Sequence, residues 1–84
     1  MKTIYDTSLE HQGDGLFTIG ALLDAGKEIE ATHLLICLEN DPGRNIGSDY
    51  FEEHEALFVT AGEDLDSCIE QCQGGCPFVK AYPI

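Results

Sequence analysis

The longest apolar run in the chain is Leu34-Leu35-Ile36-Cys37-Leu38, opened by His33 and bracketed by Glu28 and Glu30 before it and Glu39 and Asp41 after it. Five apolar residues without a polar interruption suit a strand covered on both faces. The pattern therefore predicts a central strand over 28–39. Ala31, Leu34, Leu35 and Leu38 also fit the i, i+3, i+4, i+7 stripe of a helix, so a helical reading of this stretch stays open. Ala56-Leu57-Phe58-Val59 is a second apolar run and the natural partner strand, over 56–60.

The other elements follow from weaker signals. Thr3, Ile4 and Tyr5 predict a strand over 2–7. Gly13 and Gly15 make 11–15 a loop. Phe17 and Ala21, with Leu16 and Leu23, share faces at helical spacing, which predicts a short helix over 17–25 stopped by Gly26. Asp41-Pro42-Gly43 and Asn45-Ile46-Gly47 read as turns, and Ser48 could cap a short helix within 49–55. Thr60-Ala61-Gly62-Glu63 matches a capping box. After it, Leu65, Cys68, Ile69 and Cys72 form one apolar helix face, with Glu63, Asp66 and Glu70 on the other side. Gly74-Gly75 and Pro77 end that helix, and 78–82 is a last strand closed by Pro83.

The order strand, helix, strand, strand, helix, strand is that of a ferredoxin-like βαββαβ domain. The expectation is an α+β fold in one domain over 1–84, its antiparallel sheet carrying both helices on one face. A helix-richer α+β domain is the alternative, if the central run is helical.

Composition adds one strong signal. Sixteen acids face four bases, for a net charge of −12, beyond the magnitude of about 2–8 usual for a small domain. Such a charge opposes compaction by self-repulsion. It also argues against contact with nucleic acid or an anionic membrane, which needs Lys and Arg. A basic protein surface is the expected partner. Hydrophobic content of 43% suffices for a core. The N-terminal residues lack the apolar region of a signal peptide, so a cytoplasmic location with reduced cysteines is expected.

The acids are unevenly spread. Between Arg44 and Lys80 there is no base, and the interval holds Asp49, Glu52, Glu53, Glu55, Glu63, Asp64, Asp66 and Glu70. Alternate strand residues lie about 6.6 Å apart and helix residues at i+4 about 6 Å, close to the roughly 6–7 Å between successive phosphates of a nucleic-acid strand. Arginine takes carboxylate and phosphate in the same fork geometry. These eight acids are the candidate partner-binding residues; the plainer reading is a solvated face that keeps the protein soluble.

Cys68, Cys72 and Cys76 are spaced four and four, with Cys37, His33 and His54 elsewhere. A helical pair could hold zinc, but no Cys-x-x-Cys knuckle is present, and Cys68 and Cys72 fall on the face that must be buried anyway. The expectation is structural cysteines, no metal and no cofactor. No nucleophile elbow or phosphate loop appears, so no enzymatic activity is expected.

In size, charge and the acidic interval 49–70, the chain resembles small phage-encoded inhibitors, among them DNA-mimic and anti-CRISPR proteins. The resemblance implies stoichiometric occupation of a nucleic-acid-binding groove on a host defence complex, such as the groove of a CRISPR effector that reads the protospacer-adjacent duplex or holds the displaced strand. Two other classes compete with it. One is a small metal-binding or redox module built on Cys37, Cys68, Cys72 and Cys76. The other is an acidic adaptor or antitoxin for a basic protein effector.

Overall fold

The computed structural model describes residues 1–9, 15–38, 50–74 and 78–84. Among these lie strands β1 (Lys2–Thr3), β2 (Leu16–Thr18), β3 (Ala31–Leu38), β4 (Tyr50–Glu52), β5 (Ala56–Thr60) and β6 (Phe78–Pro83) and helices α1 (Ile19–Glu28) and α2 (Leu65–Gln73). One-turn 3₁₀ helices occupy Ile4–Asp6 and Glu53–Glu55. The main sheet has the order β1-β5-β3-β6, and β2 and β4 form a separate two-stranded ribbon; every described pairing is antiparallel.

The α+β class holds, and the central run is a strand. Its alternating residues enter two different cores. Leu34 and Ile36 pack with Leu22 and Ala25 of α1, with Phe58, and with Phe17 and Phe51 of the ribbon. Leu35 and Cys37 pack with Val59 and with Cys68 and Cys72 of α2. All four of these β3 side chains are buried, which is why the run carries no polar alternation.

The β2–β4 ribbon adds two strands and a second sheet to the ferredoxin-like expectation, and two features of the main sheet also depart from it. First, β6 pairs with β3 rather than with β1. The first strand is only Lys2–Thr3, because the chain turns into a 3₁₀ helix at Ile4. It is too short to template β6, whereas β3 pairs with every residue of β6, from Phe78 to Pro83. Second, the helices lie on opposite faces, as the two cores show. The first feature requires the second. The crossovers β1–α1–β3 and β5–α2–β6 run the same way along the sheet but start from strands of opposite direction. Right-handed connection then puts their helices on opposite sides.

Local chemistry sets the boundaries. Thr18 caps α1, its hydroxyl accepting from the Ala21 N–H at 3.2 Å. The helix runs past Gly26, which was expected to end it. Gly26 is buried, and a Cβ there would meet the Phe58 ring at 3.2 Å and crowd the end of Ile84. Glycine is thus required for close approach of α1 to the sheet. The chain reverses instead at Glu30, in the left-handed region with φ 58°. A bulge at Thr32 follows, where the β3–β5 register shifts and the Thr32 hydroxyl donates to the Val59 carbonyl. It turns Ala31 onto the α1 side with Leu34 and Ile36. The loop expected over 11–15 and the turns over 41–47 lie largely or wholly outside the described residues.

Candidate functional site

The acidic interval flanks β5. Glu52, Glu53 and Glu55 precede the strand, and Glu63, Asp64, Asp66 and Glu70 follow it. Asp49 lies outside the described residues. The five strand residues of β5 hold Glu55 roughly 14 Å or more from Glu63. The acids therefore form two groups rather than one string.

In the first group, Glu55 is buried, 4% exposed, and accepts the Glu52 N–H at 2.8 Å to close the 3₁₀ turn. Expected as a surface carboxylate, it is a structural one. Glu53 accepts the Tyr5 hydroxyl at 2.5 Å, and this carboxylate holds the phenol's pKa above its ordinary value. Glu52 is exposed, with its carboxylate 3.3 Å from His54 Nδ1. Tyr5, His54 and Leu57 border a recess of about 300 Å³ here. Tyr5 is 74% exposed; read as a strand residue in the sequence, it carries no signal that would have placed it beside Glu53.

In the second group, the capping arrangement differs from expectation. Thr60 and Glu63 do meet: the Thr60 N–H and hydroxyl both donate to Glu63 Oε1, at 2.9 and 2.7 Å. They close the turn after β5 rather than start the helix, and Gly62 supplies the positive φ that this turn needs. The N-cap of α2 is Asp64, which accepts from the Ser67 N–H at 3.0 Å and the Ser67 hydroxyl at 2.8 Å. Glu63 also receives the Met1 α-ammonium at 2.6 Å. That contact first, and the Thr60 donors second, lower its pKa to about 2.

Two carboxylates of α2 are left to solvent. Asp66 and Glu70 are exposed, while Cys68 and Cys72 are buried and Leu65 and Ile69 half-buried. One helical turn separates the two acids, about 6 Å along the axis. Asp64, also exposed, precedes them. The helix thus divides as its periodicity predicts, with apolar residues on the sheet and acids outward.

Cys37, Cys68 and Cys72 are buried together in the α2 core. Burial, and then the nearby Glu63 carboxylate, push the Cys68 thiol up. Cys72 Sγ lies 4.0 Å from the Met1 sulfur. Cys76 is outside the described residues. His33 contacts the Thr32 hydroxyl through Nδ1. Among the described residues, no three His, Cys, Asp or Glu side chains are arranged to hold a metal ion, and no helix is long and apolar enough to cross a membrane.

No family model, curated protein or solved structure matches the chain.

Proposed function

We propose that the protein is an acidic inhibitor that occupies a basic, nucleic-acid-binding groove on a host defence complex, in the manner of DNA-mimic and anti-CRISPR proteins. The observation that carries this reading is the outward face of α2 in a chain of net charge −12. Asp66 and Glu70 stand one turn apart, at a spacing close to that of phosphates along a strand. They are held on a helix whose start is fixed by Asp64 and Ser67. A rigid presentation loses less side-chain entropy on binding than a flexible acidic loop would. Glu52 and the half-buried Glu53 form a secondary group, before the start of β5.

The test is a titration of the protein into purified RNA-guided effector complexes bound to labelled target duplex. The expected result is loss of the shifted complex at stoichiometric protein, in at least one effector class. The protein alone should leave duplex and single strand unshifted at low salt, because it has no basic cluster. A salt-sensitive shift of free DNA by this protein would end the mimic reading. Copurification of a basic effector without a nucleic-acid groove would move it to the adaptor or antitoxin class.

A further inference from the structure

We infer that β6 is a self-association edge, through which two copies pair antiparallel about Ala81. The strand lies at the end of the main sheet, and among the described residues nothing pairs with its outer side. The direction of its backbone groups can be read from one bond. The Ile84 N–H donates to the Thr32 carbonyl at 2.9 Å. Hydrogen-bonded and non-bonded positions alternate along an antiparallel ladder, and the register pairs Leu34 with Tyr82 and Ile36 with Lys80. Tyr82 and Lys80 therefore turn their backbones to β3. Val79, Ala81 and Pro83 turn theirs outward, and Pro83 sits where its missing N–H costs no bond inside the sheet.

This edge is complementary to itself. In a pair centred on Ala81, the two Ala81 residues exchange both of their bonds. Each Val79 N–H then reaches the carbonyl of the partner's Pro83. The same register sets Lys80 directly opposite the partner's Tyr82, at the closer, non-bonded type of position. Within one chain the Lys80 ammonium already lies 4.9 Å from the Tyr82 ring centre, so pairing lets each ammonium lie between two rings. A register centred on Lys80 would instead oppose two like charges.

Charge selects the occupant. Residues 71–84 contain no Asp or Glu and are the longest acid-free stretch of the chain. They include the longer edge strand of the main sheet, six residues against two in β1, which a second strongly acidic copy can approach without meeting carboxylates from the strand itself. The rest of each molecule still repels, so added salt should favour the pair. Binding to a basic partner has the opposite salt dependence, which separates the two associations. One strand pair buries less than a standard interface, so the dimer should be weak and concentration-dependent.

Sedimentation equilibrium of the full chain tests this. The average mass should climb from 9.2 kDa toward twice that value as concentration rises, and more steeply at high salt. Ala81→Pro removes the central outward donor and no bond to β3, so a folded variant should stay monomeric. Lys80→Glu keeps every backbone donor and should weaken the dimer about tenfold or more; it decides the matter if Ala81→Pro does not fold. A native chain that stays monomeric at its highest soluble concentration in high salt would overturn the inference. So would folded variants that dimerise as well as the native chain.

Discussion

Glu30 sits where a helix-ending residue takes a left-handed conformation, with φ 58°. An L residue with a Cβ is held there at a cost of about 1 kcal/mol that glycine avoids. Glu30→Gly should therefore raise stability by roughly 0.5–1 kcal/mol, read as a higher urea midpoint at unchanged slope. Glu63 gives a pH prediction. Its folded-state pKa is about 2 against an ordinary 4.5, so its contribution is complete above about 4.5 and fades as pH falls toward 2. The Met1 ammonium has a pKa raised above 8.0, chiefly by the same hydrogen bond. That contribution is present below 8.0 and lost as pH climbs through the raised value. Urea midpoints of native protein and Glu63→Gln should differ at neutral pH and converge as pH falls through this acid range. A constant gap across it would show that the carboxylate's ionisation plays no part.

The elements differ in how plainly the sequence announces them. The apolar run of β3 and the split faces of α2 were legible because burial on two sides, or on one side at helical period, dictates residue type directly. Cys68 and Cys72 follow from that face, and both are buried in the α2 core. Replacing either with Ala should cost roughly 1–3 kcal/mol through lost packing, measured by equilibrium unfolding. Loss of stoichiometric zinc in these variants would instead make them ligands. The β2–β4 ribbon was not legible. Leu16-Phe17-Thr18 and Tyr50-Phe51-Glu52 are too short to show a period, and only the pairing of Phe17 with Phe51 reveals their role. Sheet order was hidden for a similar reason. The shortness of β1 decides where β6 pairs, and the 3₁₀ turn that truncates it is closed by Asp6, which accepts the Thr3 N–H and hydroxyl. In the acidic interval, sequence located the outward α2 carboxylates. The capping motif did place Glu63 on Thr60, but sequence could not show that Glu63 also receives the Met1 ammonium, 62 residues away, or that Glu55 is turned inward onto the Glu52 N–H.

At the scale of the whole molecule, a net charge of −12 on 84 residues opposes the folded state and favours any basic surface. The central claim is that the α2 face, rather than total charge, recognises that surface. Asp66→Lys with Glu70→Lys changes exposed residues only, as does the control Asp24→Lys with Glu30→Lys on the other side of the sheet. Both pairs shift net charge equally, and exposed substitutions generally alter stability by no more than about 0.5 kcal/mol. The decisive measurement compares the affinity of native protein and both variants for a basic effector complex that captures the native protein in the titration proposed above. Like-charge contact in a basic groove costs several kcal/mol, so the α2 variant should bind at least about a hundredfold more weakly, while the control stays near native affinity. Equal weakening in the two variants would contradict the account and leave the α2 acids as a solvated surface.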